Sequence, residues 1–180
     1  MAFGKGFKLE KGCGGEYVFA AIVNDKKEKD EKNFTPQEIL KSLAGYEPEN
    51  TDLEKVTYLS PSTIIQAAQA EKMTVRLYNQ SFPQASDKWS ESERDRLTES
   101  RVPFENKDLT AIFKDTRNKY AMILLPSCFW IAVKRKKDDA QFDIYDPREG
   151  QKKVASNDAE LLKKLAPYSP NENSLVIAVE

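Results

Sequence analysis

The longest run of apolar residues in the first half of the chain extends from Tyr17 to Val23, directly after the segment EKGCGGE. If this run is helical, apolar side chains lie on every face of the helix. A helix that is apolar all round is buried inside a domain. The pattern therefore predicts a central buried helix with Cys13 in its first turn.

Two further helices are predicted after a charged segment, NDKKEKDEKN. The stretch FTPQEILKSLAGY offers Thr35 as N-cap and Pro36 as the first helical residue, and LSPSTIIQAAQAEKM repeats the arrangement with Ser60 and Pro61. A hydroxyl residue followed by proline is a common helix start, because proline has no N–H to leave unpaired there. The next segment, TVRLYN, is predicted to be a strand.

The last third of the chain is rich in β-branched and aromatic residues, in the runs KYAMILL, CFWIAVKR, QFDIYD and SLVIAV. Such runs, separated by turn residues, predict a twisted antiparallel sheet. The basic stretch KRKKDD at 134–139 fits a solvated hairpin tip, and NDAELLKKLA fits a helix before the final strand. The fold class expected is α+β in two layers, with N-terminal helices packed on a C-terminal antiparallel sheet.

The middle of the chain, residues 80–118, is polar and weakly periodic. We expect one helix around SESERDRLTES and a short one near KDLTAIFKD. Irregular polar segments carry specificity more often than stability, so this insert is interpreted as the variable or the substrate-facing part of the chain. The length of 180 residues fits a single domain, 1–180.

Charge and hydropathy exclude several classes of function. The chain has 28 basic and 29 acidic side chains, a net charge of −1, and no basic patch or tail stands out, which argues against a nucleic-acid partner. No apolar run approaches the length of a membrane span, and no signal-peptide pattern is present. These features predict a soluble protein. The location that we expect is the cytoplasm, or a host cytosol after translocation, and the state that we expect is a monomer.

The chain has two cysteines, Cys13 and Cys128, and no histidine. Two thiols without imidazole cannot form most structural zinc sites or a disulfide framework, so no metal and no cofactor is expected. Cys13 lies between glycines at a predicted helix N-terminus, where the backbone dipole favours the reactive thiolate. The alternative is that Cys13 is simply packed in the core, as buried cysteines often are.

The order of these segments resembles that of papain-like cysteine peptidases. CGGEYVFAA looks like their nucleophile segment, and SCFWIAVKRKKDDAQFDIYDP looks like the second active-site segment, in which a histidine opens a strand and an Asp or Asn ends the next. Between them, FTPQEI and STIIQAAQAEKMTVRLYN are similar to elements of Josephin-type deubiquitinases. Bacteriocin-leader peptidases and bacterial effectors with papain-like folds share much of this arrangement. The resemblance covers most of the chain except the middle insert.

This resemblance implies that Cys13 is the nucleophile and that Asp146 orients a base. The base position is occupied by Cys128, which is the main departure from the family. In the family mechanism an imidazole takes the thiol proton and later protonates the leaving amine. A thiol performs this role poorly, because its own pKa is near 8.5 and its anion would repel a second thiolate.

The oxyanion hole implied by the resemblance also departs from the family. A glutamine is expected five or six residues before the nucleophile, where this chain has Lys8 and Phe7. Glu10 lies closer, but a carboxylate would disfavour a developing oxyanion. Lys8 and the backbone N–H of Cys13 could still donate, so the hole is expected to be weakened.

These features leave several functions open. The first is a cysteine hydrolase of peptidase, deubiquitinase or deamidase type, impaired by Cys128, with a ubiquitin-like protein as substrate or partner. The second is a non-catalytic protein-binding module on the same fold. In a third, Cys128 replaces an original histidine. A two-cysteine redox protein is a weaker alternative because the thiols are far apart in sequence. Taken singly, Cys128 also fits a packed strand start, and Asp146 fits a turn.

Overall fold

The fold is described from a computed structural model, which covers residues 3, 8–9, 13–46, 59–79, 87–126, 129–136, 141–168 and 174–180, with only the backbone for 44 and 87–91. The helices in these residues are α1 (Gly15–Lys26), α2 (Pro36–Leu43), α3 (Pro61–Ala70), α4 (Asp87–Glu99), α5 (Leu109–Lys114) and α6 (Asp158–Leu165). The strands are β1 (Val75–Tyr78), β2 (Phe104–Glu105), β3 (Tyr120–Leu124), β4 (Trp130–Arg135), β5 (Phe142–Asp146), β6 (Gln151–Ala155) and β7 (Val176–Val179). Short 3-10 turns cover Ala44–Tyr46 and Ala166–Tyr168.

The described strands form one sheet in the order β2-β1-β7-β3-β4-β5-β6. All neighbours are antiparallel except β1 and β2, which are parallel. The last strand of the chain, β7, inserts between β1 and β3, and its four residues are all buried. The mixed α+β class and the largely antiparallel sheet are therefore confirmed.

Helices cover both faces of this sheet. The first core lies under α1, α2 and α3 and includes Met122, Trp130 and Tyr145 from the sheet. The second core lies under α5 and α6 and includes Ile123 and Ile144. Side chains alternate between the two faces along each strand, so strands buried on both sides are apolar at almost every position. The expected two-layer arrangement is wrong, because α5 and α6 form a third layer.

Both helices that the sequence predicts to begin with a proline are present, since α2 begins at Pro36 and α3 begins at Pro61. Around Thr35 the capping is reciprocal, because Glu38 N donates to Thr35 Oγ1 at 3.1 Å and Thr35 N donates to Glu38 Oε2 at 2.9 Å. Ser60 precedes α3 as expected, but its side chain makes no capping bond and instead lies 2.8 Å from Thr63 Oγ1. Both helices predicted within the middle of the chain are present as α4 and α5.

Two strands were not predicted, the short β2 and the polar edge strand β6. The basic stretch at 134–139 is also corrected in part, since Lys134 and Arg135 belong to β4 and Lys134 Nζ donates to Asp25 Oδ1 at 2.8 Å. Residues 137–140 of that predicted hairpin tip lie outside the described residues. Among the described helices, none is long and apolar enough to cross a membrane.

The burial of α1 leads to a stability prediction. Ala21 is 2% exposed in the first core, so Ala21→Asp would bury a charge without a partner. We expect a loss of at least about 3 kcal/mol in the free energy of unfolding, measured by urea denaturation. The control is Ala70→Asp at the exposed end of α3, where the loss should stay below about 1 kcal/mol. Equal effects of the two substitutions would contradict a buried α1.

Candidate functional site

Three parts of the chain meet at one end of the sheet, where α1 begins, β4 begins and β5 ends. The backbone carbonyl of Cys13 accepts a hydrogen bond from Trp130 N at 2.9 Å. The segment that precedes Cys13 is tied to the turn after β5, because Leu9 N donates to Pro147 O at 2.7 Å. Main-chain hydrogen bonds therefore hold Cys13 next to the start of β4 and the end of β5, where Asp146 lies.

Two glycines allow this close approach. Gly14 has φ +82°, and a Cβ added there would lie 3.1 Å from Pro147 Cγ. A Cβ at Gly15 would lie 3.1 Å from Leu59 Cβ and 3.4 Å from Trp130 Cδ1. A larger residue at either position would push the start of α1 away from the sheet, and at Gly14 it would also be held in a left-handed backbone conformation.

Cys13 itself is half-buried and packs against the first core. The helix begins at Gly15 with Gly14 as its N-cap, so the prediction that Cys13 lies in the first helical turn is wrong. The physical reason is the left-handed conformation of Gly14, which separates Cys13 from the helical residues. Cys13 is thus positioned by its hydrogen bond to Trp130 just ahead of the positive end of the helix dipole.

Asp146 is a buried carboxylate, and it is bound by the second residue after it. Arg148 donates from its backbone N and from Nε to Oδ1, at 2.9 and 3.1 Å, and from Nη2 to Oδ2 at 3.0 Å. This bidentate pairing raises the pKa of Arg148, mainly through the hydrogen bond. The Arg148 guanidinium also lies over the Phe129 ring, 4.5 Å from its centroid. Both oxygens of Asp146 are therefore used within its own turn.

The two predicted site residues face different sides of the sheet end. Phe142 and Ile144 belong to the second core and Tyr145 to the first. Because side chains alternate along β5, Asp146 lies on the face of Phe142 and Ile144. Cys13 packs on the other face, against the first core. The backbones of the two segments meet, at Gly14 and Pro147, while the Asp146 carboxylate turns toward Arg148.

Of the three remaining predicted site residues, Lys8 is the one that belongs to the described part of the chain. Lys8 is exposed, and a Cβ built on Gly150 would lie 2.9 Å from Lys8 Cβ, so Lys8 packs beside the turn after β5. Glu10, the second residue assigned to the oxyanion region, lies outside the described residues. Cys128, at the position assigned to the base, does so as well.

A further acidic residue, which the sequence analysis did not single out, lies in the first turn of α1. Burial raises the pKa of the Glu16 carboxyl, and a bond from its own backbone N–H opposes that rise. Glu16 and Asp146 both act electrostatically on Tyr145, whose pKa is raised mainly by burial. The carboxyl of Glu16 is therefore more easily protonated than an exposed one, close to the start of the helix.

This arrangement combines a half-buried thiol, a carboxylate neutralised by arginine and a carboxyl of raised pKa. Arg148 stays protonated, so it can supply a fixed positive charge but cannot accept a proton. Among the residues described, no three His, Cys, Asp or Glu side chains are grouped so that they could hold a metal ion. No model of a protein family and no curated protein matches the chain.

The glycine at the start of α1 gives a direct test of this geometry. Gly14→Ala should lower the free energy of unfolding by at least about 1–2 kcal/mol, the cost of a left-handed backbone with a side chain. The control is Gly45→Ala, because a Cβ at Gly45 meets nothing within 4 Å. If thermal unfolding shows the same stability for both variants, the close contact between Gly14 and Pro147 is wrong.

Glu16 gives a pH-dependent prediction. The folded protein binds the Glu16 proton more tightly than the unfolded chain, so ionisation of this group lowers stability as the pH rises from its ordinary value of 4.5. Glu16→Gln should therefore raise the melting temperature at pH 7 and leave it nearly unchanged at pH 4. Glu38→Gln should have the opposite sign at pH 7, because the backbone bond from Thr35 lowers the pKa of Glu38. A lower melting temperature of Glu16→Gln at pH 7 would overturn this assignment.

Proposed function

We propose that this chain is a papain-like cysteine hydrolase domain of the peptidase, deubiquitinase or deamidase type, and that it is impaired as an enzyme. Its chemistry would be attack of the Cys13 thiolate on an amide or isopeptide carbon, with a ubiquitin-like protein as substrate class. In the order of its segments the chain resembles Josephin-type and bacteriocin-leader peptidases. We place its action in the cytoplasm, or in a host cytosol after translocation.

The observation that carries this proposal is the meeting of three segments at one end of the sheet. The carbonyl of Cys13 accepts from Trp130, and Gly14 packs on Pro147. A papain-like site requires the same meeting, since its nucleophile precedes the central helix while its base and acid lie on adjacent strands. Helix α1 is also buried against β3 and β4, as a nucleophile-bearing central helix must be.

Two facts support the view that turnover is impaired. The chain has no histidine, so no imidazole can accept the Cys13 proton. Arg148 holds both oxygens of Asp146, so this carboxylate is already occupied where it would orient a base. A hydrolase that lacks general acid–base catalysis loses about 10²–10⁴-fold in rate.

The second candidate, a non-catalytic protein-binding module, is favoured by the same Asp146–Arg148 pair. A buried carboxylate bound by its own turn stabilises that turn, and it leaves the Arg148 guanidinium partly exposed on the Phe129 ring. An exposed arginine on an aromatic ring is a frequent anchor at protein interfaces. On this alternative the surface around Arg148 binds a partner without hydrolysing it.

Restoring the base tests the hydrolase proposal. Turnover of ubiquitin with a C-terminal fluorogenic amide should be at background for the natural chain and for Cys128→His alone. In Cys128→His with Arg148→Ala the Asp146 carboxylate is released from its own turn and is free to rotate toward the new imidazole, so turnover should rise by about 10²–10⁴-fold. Cys13 should also be alkylated by iodoacetamide at pH 6 at least about tenfold faster than in Cys128→Ala with Arg148→Ala.

Cys13→Ala in the restored background is the control, and it must abolish the new turnover. If alkylation of Cys13 is equally slow with His or Ala at position 128, the assignment of these residues to one site is wrong. If no variant turns over while the natural chain binds ubiquitin with an affinity that Arg148→Ala weakens and Cys13→Ala does not, the binding module is the better description.

A further inference from the structure

Helix α4 is attached to the rest of the domain by an unusual contact. Of its side chains between residues 92 and 99, only Glu93 and Leu97 are buried, and Arg96 is half-buried. Leu97 reaches the first core, while the other five side chains in this range are exposed. A helix that buries a single apolar side chain in this range gains little from the hydrophobic effect.

A buried carboxylate supplies the main polar contact. Glu93 is 2% exposed, and it accepts hydrogen bonds from Ser62 N at 2.5 Å and from Ser62 Oγ at 2.9 Å. Ser62 lies in the first turn of α3, whose own N-cap residue, Ser60, makes no capping bond. Glu93 thus replaces the missing cap from another helix, and its charge is favourable at the positive end of the α3 dipole.

Arg96 completes the attachment on the next turn of α4. Its guanidinium donates to Ser60 Oγ at 3.0 Å, to Thr63 Oγ1 at 3.1 Å and to the Tyr46 carbonyl at 2.5 Å. It also lies 3.6 Å from Glu93 Oε2. This contact is an ion pair between the guanidinium and the buried carboxylate. We call this set of five residues, Tyr46, Ser60, Ser62, Glu93 and Arg96, the α4 clamp.

The α4 clamp lies directly beside the start of α1. Leu59, the residue before Ser60, packs against Gly15, with its Cβ 3.1 Å from the position of a Cβ there. Gly15 is two residues from Cys13, and Trp130, which holds the Cys13 carbonyl, contacts the same place. Loosening the α4 clamp would therefore loosen the wall of the first core against which Cys13 packs.

We infer that α4 is a detachable cover whose docking depends on the Glu93 carboxylate, and that its release increases access to Cys13. The helix has 13 residues, and isolated helices of about this length are marginal in water, so α4 unfolds when it undocks. The release is a local order–disorder transition, distinct from global unfolding. The role as a cover of a reactive thiol rests on the proposed function, whereas the docking and release of α4 do not.

Hydrogen exchange at a fixed pH of 7 tests the docking. Glu93→Gln keeps the size of the side chain but removes the charge, so exchange of the amides at 92–99 should become about tenfold faster or more, while β3 and β4 stay protected. Arg96→Gln should loosen the same segment. The matched control, Glu99→Gln, removes the same charge from an exposed position of α4 and should leave its exchange unchanged.

Alkylation of Cys13, measured in a Cys128→Ala background at the same pH, tests the coupling. We expect it to become at least about threefold faster with Glu93→Gln and to be unchanged with Glu99→Gln. If exchange at 92–99 matches the natural chain in both clamp variants, α4 is not detachable in this way. If hydrogen exchange becomes faster and alkylation does not, α4 is released without covering Cys13. Neither outcome changes the expected turnover of ubiquitin amide by the restored variants.

Discussion

The hydrogen bond from Trp130 N to the Cys13 carbonyl fixes the position of the most buried helix relative to the sheet. Helix α1 is apolar on every side, so it can be stable only when other elements enclose it. Its N-terminal end comes so close to Pro147 and Leu59 that a Cβ at Gly14 or Gly15 would lie 3.1 Å from the nearest side-chain atom, closer than an ordinary van der Waals contact. The site proposed here thus depends on the same backbone contact that closes the first core.

Three carboxylates that border the cores, those of Asp25, Glu93 and Asp146, accept hydrogen bonds from nearby residues. Asp25 accepts from Tyr120 Oη at 2.5 Å and from Lys134 Nζ at 2.8 Å, and burial together with this bond raises the pKa of Tyr120. Glu93 caps α3, and Asp146 is bound by Arg148. Such pairing is required because an unpaired buried charge is very costly. For Asp146 it also has a chemical consequence, since the carboxylate is no longer available to a base without displacing the arginine.

The sequence predicts those elements whose residues carry their own signal. Helix α1 follows from its continuous apolar run, and α2 and α3 follow from a hydroxyl residue and a proline at each start. Strand β6 has no such signal, because its two lysines form ion pairs with Asp143 and Glu149 and its conformation comes from pairing with β5. The third layer is not predicted, although α5 and α6 are, because a helical pattern does not show which face of the sheet a helix covers. Arg148 could have been found in the motif DPR, where an arginine two residues after an aspartate can bind it side-on, as Arg117 binds Asp115.

The pairing of Asp146 with Arg148 and the absence of histidine both limit acid–base catalysis at the proposed site. A base restored at position 128 would find its orienting carboxylate already bound, so one substitution is not enough to rebuild an acid–base pair. The scaffold features, by contrast, do not depend on that chemistry: Gly14, Gly15 and Trp130 hold Cys13 whether or not a proton can be removed from it. A domain can therefore keep the backbone of a hydrolase site while its side chains serve stability or binding. Arg148 distinguishes the two cases, because Asp146 can orient a base only when Arg148 does not bind it.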